Sequence, residues 1–152
     1  IFNNIIIRVV MYSRKKVVVY KQFWSSETTN KNPNCLFIYG DNDKHYGKGG
    51  QAIIRDEPNS AGIPTKKTPL SSADSFYTDR EYTDNIKKID AALNYIISIF
   101  TTGNYNYLVL PSDGFGTGLS QLPSKAPATY YYLQTKIENL KGLFGVEEYK
   151  LG

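Results

Sequence analysis

Leu36-Phe-Ile-Tyr-Gly-Asp-Asn-Asp-Lys-His-Tyr-Gly-Lys-Gly-Gly-Gln-Ala-Ile-Ile-Arg55 is the stretch that decides how the rest of the chain is arranged. Its apolar start, from Cys35 to Tyr39, reads as a buried strand; a polar loop follows, then glycines and a short helix from about Gly50. A chain that runs from a strand through consecutive glycines into a helix start gathers unpaired backbone N–H groups at one point. The helix dipole adds partial positive charge there, which suits a phosphate-bearing ligand.

A second stretch has the same character. Leu108-Val-Leu-Pro-Ser-Asp-Gly-Phe-Gly-Thr-Gly-Leu-Ser-Gln-Leu122 runs from a short apolar strand into glycines and a helix start. One glycine cluster could be a turn and nothing more, because glycine is the default wherever φ is positive. Two clusters, each after a strand and before a helix, point to a ligand held from two sides. Named phosphate motifs do not fit. Six residues separate Gly40 from Gly47, and Gly49 follows Lys48 where a P-loop needs Ser or Thr. In Gly114-Phe-Gly-Thr-Gly118 the third glycine comes one residue early for the dinucleotide fingerprint.

Working outward, β-branched runs at 5–10 and 17–20 suit two strands around the polar turn Tyr12 to Lys16, and Trp24 closes that block. Ser25 to Asn34 reads as a polar surface connection. Gly62 to Lys67 reads as a short strand whose prolines limit pairing, and Thr68 to Phe76 as a loop. Thr78-Asp-Arg-Glu81 has capping-box spacing ahead of a helix with Ile86, Ile89, Leu93, Ile96, Ile97 and Phe100 on one face, ended by Gly103. Tyr107 to Pro111 is the next strand. Ser124 caps a helix with Pro127 in its first turn and Ala126, Tyr130, Leu133, Ile137 and Leu140 as its stripe, up to Gly142. Val146 to Tyr149 reads as a last edge strand. Strands alternating with helices predict one α/β domain over residues 1–152, with helices on a mixed sheet. Ligands of such sheets bind beyond the carboxyl ends of the strands, where both glycine loops lie in chain order.

Composition narrows the chemistry. The 152 residues carry a net charge of +4, with basic groups scattered rather than clustered, so a small anion fits about as well as nucleic acid. One cysteine, Cys35, excludes an internal disulfide; it reads as a core thiol in a reducing compartment, hence a cytoplasmic chain. One histidine, His45, leaves no multi-histidine metal site, and no cofactor is implied. No apolar run has the length of a membrane-spanning helix.

These residues together resemble a macrodomain, the three-layer α/β/α module that binds ADP-ribose. Asn42 at a strand end and Gly47-Lys-Gly-Gly-Gln-Ala52 resemble the family's first loop, and Pro111 to Leu119 its phosphate and distal-ribose loop. The nearest branch removes ADP-ribose from acidic side chains or DNA bases; Thr65-Lys66, Tyr82-Thr-Asp-Asn85 and Gly118-Leu-Ser-Gln-Leu122 are similar to its motifs. The likeness spans residues 17–140. It implies binding of ADP-ribose, or of ADP-ribosylated protein or DNA, with nucleic acid only as a modified substrate and no membrane. The implied ligand-binding residues are Asn42, Gly47, Gly49, Gly50, Gln51, Ala52, Thr65, Gly114, Phe115, Gly116, Thr117, Gly118 and Leu119. Two positions depart: Lys21-Gln22 stands where the family has the Asp that meets adenine, and Ser120 where the hydrolases have a carboxylate.

Hydrolysis of the ribosyl bond would use Lys66 as a nucleophile if burial lowers its pKa, with Asp113 as its carboxylate partner. The plainer readings stand beside these: Lys66 as a solvated strand-end lysine, and Asp113 binding its own loop's N–H groups. Asn42 serves either a ribose or an Asx turn. His45 reads as a loop histidine without a neighbouring titrating partner. Tyr46, Phe76 and Phe115 are candidate stacking surfaces. A binder without catalysis, or an interaction protein that keeps the fold, are the competing functions.

Overall fold

The computed structural model describes residues 14–152. Four strands, β1 (Lys16–Tyr20), β2 (Cys35–Asn42), β3 (Ser60–Lys66) and β4 (Tyr107–Pro111), form one sheet in the order β1-β4-β2-β3. All three pairings are parallel, with Val18 opposite Val109, Phe37 opposite Val109 and Ile38 opposite Ala61. The expected mixed sheet is therefore corrected among the described residues: each of the three connections between successive strands is a crossover, and crossovers make parallel neighbours. The strand expected over 5–10 lies outside the described residues.

The continuous apolar run in β2 follows from burial on both faces. Leu36 and Ile38 join Val17, Leu108 and Leu110 beneath two long helices, α2 (Tyr82–Thr102) and α4 (Pro127–Phe144). Ile89, Leu93, Ile96 and Phe100 come down from α2, and Leu133, Ile137, Leu140 and Phe144 from α4. Phe100 and Phe144 meet edge-on with centroids 5.0 Å apart, a contact that adds about 1 kcal/mol to their burial. On the other face Cys35, Phe37, Tyr39, Val18 and Val109 pack against Trp24, Ala52 and Ile54. Trp24 stacks on Tyr20 at 5.3 Å, and its indole N–H donates to the Ile38 carbonyl.

Several local expectations are revised. Ser25 to Asn34 contains a helix, α1 (Ser26–Lys31), because the Ser25 hydroxyl accepts from Thr28 N and Glu27 pairs with Lys31 one turn on. β3 starts at Ser60 and pairs through Pro64, tolerated because β3 is an edge of the described sheet. The helix after the first glycine loop is a five-residue 3-10 turn, Gly50–Ile54. Thr78 makes no capping bond; its hydroxyl donates to Glu81 Oε1, and a 3-10 turn at Asp79–Glu81 precedes α2. Ser124 caps nothing either. It lies in the single turn α3 (Leu122–Lys125), while the first N–H groups of α4 are closed by Asp79, whose carboxylate accepts from Ala128 N and Thr129 N at 2.9 and 3.1 Å. α4 runs past Gly142 to Phe144 and stops at Gly145, φ +84°. The edge strand at 146–149 reduces to one bridge, Val17 to Val146.

Asn85 also takes a structural part. It is buried at the start of α2 and donates to Thr78 O and Thr129 Oγ1, joining the beginnings of α2 and α4. No helix among the described residues is long and apolar enough to cross a membrane.

Candidate functional site

Both glycine loops leave the carboxyl ends of neighbouring parallel strands, β2 and β4, and they face each other. Gln51 joins them. Its Oε1 accepts from Gly40 N at 2.8 Å and its Nε2 donates to Gly114 O at 3.0 Å, so one carboxamide ties the end of β2 to the second loop. Leu119, 69% exposed, lies over Gly49, and a methyl group added there would stand 3.3 Å from its Cδ1. Neither N–H groups of Lys48, Gly49, Gly50 and Gln51 nor those of Phe115 to Ser120 donate to a protein acceptor among the described residues. The fold leaves these N–H groups without an acceptor, although Phe115 and Gly116 are themselves buried. The dipole part of the expectation is corrected: the helices after the loops are short, and α4, which is long, has its N-terminus occupied by Asp79.

Two cavities share the first loop. One, about 440 Å³, is lined by Lys48, Gly50 and Gln51 on one side, by Pro111, Ser112 and Asp113 on another, and by Tyr20, Gln22, Phe23, Trp24 and Ile53. Phe23 is 92% exposed, an aromatic face with nothing over it. The other, about 100 Å³, is lined by Asn42, Gly47, Gly49, Ala52, Lys66, Leu119 and Ser120. The first has the size of a ligand cleft; the second holds a single small group. Larger hollows lie between the second loop and α4, about 530 Å³, and along β3 and α2, about 580 Å³.

Lys66 is 7% exposed, and its ammonium donates to Leu70 O and sits 4.7 Å from the Phe76 ring centroid. Burial lowers its pKa from the ordinary 10.5. Thr65 is fully buried and its hydroxyl is 2.7 Å from that of Ser120, so Ser120 is engaged where the hydrolase branch has its carboxylate. Asp113 does not join this group: it is exposed and lines the larger cleft, whereas Lys66 lines the smaller. Asp113 also leaves its loop's N–H groups alone, and only its carbonyl is used, by the Thr117 hydroxyl at 2.9 Å.

Asn42 serves its own loop, donating to Tyr46 O and accepting from Lys44 N, which is the Asx-turn use. Gly47 at φ +88°, Gly50 at +58°, Gly114 at +78° and Gly116 at +80° take backbone forms that other residues avoid. Gly116, Thr117 and Gly118 line neither cavity. Of the stacking candidates, Phe115 belongs to the main core and Phe76 is buried between Lys66 and Lys125, which leaves Tyr46 exposed.

What sequence reading missed is the support under the first loop. The Arg55 guanidinium pairs with Asp41, the two side chains 10% and 6% exposed, and also donates to Gly47 O and Tyr46 O. Asp41 further accepts from Asn42 N and from His45 Nδ1 at 2.8 Å. His45 thus has a carboxylate partner four residues back, and it is held at φ +56°. The signal was there in Asp41-x-x-x-His45, but in a loop such spacing has no fixed meaning. Cys35 is buried, and burial pushes its thiol up to about 12, which leaves it inert. Among the described residues no three His, Cys, Asp or Glu side chains gather as a metal site.

Lys66 supplies a pH test. Since its folded pKa lies below 10.5, the unfolded chain binds more protons in the interval just under that value, and stability contributed by this group rises with pH there. Lys66→Met removes the contribution. The difference in urea-unfolding free energy between wild type and Lys66→Met should therefore move in favour of the wild type as pH climbs towards 10.5; a difference independent of pH contradicts the lowered pKa.

No curated protein and no solved structure matches the chain. A family model covering residues 19–136, well over half the chain, does match, and the chain belongs to that family, the family of unknown function DUF7831.

Proposed function

We propose that this chain binds ADP-ribose, or a nucleotide close to it, in the cleft between its two glycine loops, as a macrodomain-like α/β/α protein of the cytoplasm. One observation carries the reading: both loops stand at the same end of a parallel sheet, and Lys48, Gly50 and Gln51 of the first line a single cleft of about 440 Å³ with Ser112 and Asp113 at the start of the second. The unpaired N–H groups of Lys48, Gly50 and Gln51, which border the cleft, suit a diphosphate, and the bare Phe23 ring suits a base. The ligand is free ADP-ribose or the same group carried by a protein or by DNA.

Binding without turnover is the stronger form of the proposal. Ser120 is bonded to Thr65, Asp113 lies in the other cavity, and Asp41, which lines the cavity of Lys66, is engaged by Arg55 and His45, so among the described residues no free carboxylate shares that cavity. The hydrolytic form rests on one observation, the burial of Lys66 with its lowered pKa.

Isothermal titration calorimetry with ADP-ribose tests the binding claim. Heat with a Kd below about 1 mM, some 4 kcal/mol, is expected; no heat and no thermal shift at that concentration contradicts it. Release of ADP-ribose from modified protein or DNA separates the two forms. Turnover that Lys66→Ala abolishes establishes the hydrolase, and its absence the binder.

A further inference from the structure

We infer that residues 68–74 form a lid beside the smaller cavity, and that the Lys66 ammonium is the latch that holds it down. The inference stands whether or not the ligand is a nucleotide.

The segment is a loop with a closed neck. At its base Lys66 and Phe76 form an antiparallel bridge, and Lys67 N donates to Ser75 O at 2.9 Å. Ser75 and Phe76 are buried, whereas Leu70, Ser71, Ser72, Ala73 and Asp74 are exposed. Inside the loop the Thr68 hydroxyl donates to Ser75 Oγ at 2.7 Å and accepts from Leu70 N at 3.2 Å, so the tip keeps its own shape. A compact loop that is stiffened from within and joined at a narrow neck moves as one piece.

Two contacts hold that piece against the body. One is packing: Pro69 lines the smaller cavity and stands against Gly47, where an added methyl group would come within 3.1 Å of the proline Cβ. The other is the hydrogen bond from the Lys66 ammonium to Leu70 O. Beyond the neck, no further hydrogen bond or ion pair joins residues 68–74 to the rest of the described chain.

Lys66 depends on the lid as much as the lid depends on it. Its side chain is buried, and a buried ammonium needs partners; Leu70 O is the one acceptor it has among the described residues, and the Phe76 ring supplies the rest. The same side chain lines the cavity with Asn42, Gly49 and Ser120. A group in the cavity that draws the ammonium to itself therefore takes it from Leu70 O and frees the tip. Occupation of the cavity and lifting of the lid are one event.

Backbone amide nitrogen relaxation, measured on the wild type and on Lys66→Met, tests the latch. Methionine fills similar space and has no donor, so the lid loses its bond while the site stays packed. Order parameters of about 0.85 are expected for Leu70 to Ala73 in the wild type and below about 0.6 in Lys66→Met. Lys67 at the neck and Asp43, whose N–H donates to Lys66 O, should stay rigid in both. Unchanged order in the tip overturns the inference. So does a loss of order that spreads to Lys67 and Asp43, because the fold itself has then loosened.

A second variant leaves Lys66 in place. Thr68→Ala removes the bonds inside the lid, and a looser lid exposes the amine more often. Reductive methylation with formaldehyde and cyanoborohydride, read at each lysine by mass spectrometry, measures that exposure. Lys66 should be methylated about fivefold faster in Thr68→Ala than in the wild type, the worth of one hydrogen bond, while the exposed Lys87 of α2 reacts at the same rate in both. An unchanged rate at Lys66 overturns the inference, even where Lys66→Met fails to fold.

Discussion

Arg55→Ala is expected to lower the free energy of unfolding by about 3–5 kcal/mol and to abolish ligand binding with it. Arg55 and Asp41 are both almost wholly enclosed, and removing the guanidinium leaves the Asp41 carboxylate buried with His45 and one backbone N–H for company. An uncompensated buried charge is among the few single changes of that size. The same guanidinium donates to Gly47 O and Tyr46 O and stands over the Tyr39 ring at 5.6 Å, so the first glycine loop loses its support in the same step. Chemical denaturation measures the first effect. A companion variant, Asp41→Asn with Arg55→Met, removes both charges and should recover much of the loss, since a buried pair contributes little over apolar side chains of similar size. If Arg55→Ala unfolds within 1 kcal/mol of the wild type, the network does not hold the loop.

The second large effect separates two glycines that look alike in the sequence. Gly116 has φ +80°, and a Cβ there would come within 2.8 Å of the buried Leu122 side chain. Gly116→Ala therefore combines left-handed strain with overpacking and should destabilise by about 2–4 kcal/mol. Gly49 has an ordinary φ of −75°, and its nearest neighbour is the tip of the exposed Leu119 side chain, which can swing away. Gly49→Val should leave stability within about 0.5 kcal/mol of the wild type while weakening ADP-ribose binding at least about tenfold, because it puts a branched side chain between Lys48 and Gly50, whose unpaired N–H groups border the cleft. The reverse pattern, a fragile Gly49→Val that still binds, would show that both glycines serve the fold alone.

The contrast marks how far the chain could be read in advance. β2 and β4 were legible as short unbroken apolar runs that include Cys35 and Leu108, and the apolar face of α2 because burial repeats along it at helical spacing through Ile89, Leu93, Ile96 and Phe100. The α/β class follows from the same elements. The mixed sheet was not legible as parallel, since strand direction depends on crossovers that a short strand does not announce. α1 was hidden because its stability comes from the Ser25 cap and one exposed ion pair rather than from an apolar stripe. At the site, the two loops were foreseeable from spacing and the burial of Lys66 was left open against a solvated strand-end lysine, whereas the partners of Asp41, Asp79 and Gln51 join residues 14, 49 and 63 positions apart. Such contacts are set by the packing of whole elements, and no local pattern encodes them.

The central claim is that both loops close on one ligand, and an amide proton–nitrogen correlation spectrum recorded during titration with ADP-ribose tests it most directly. The account predicts that the amides of Lys48 to Gln51 and those of Ser112 to Phe115 shift together, along one binding curve with one midpoint. Shifts confined to one loop, or two loops that titrate with different midpoints, would contradict it.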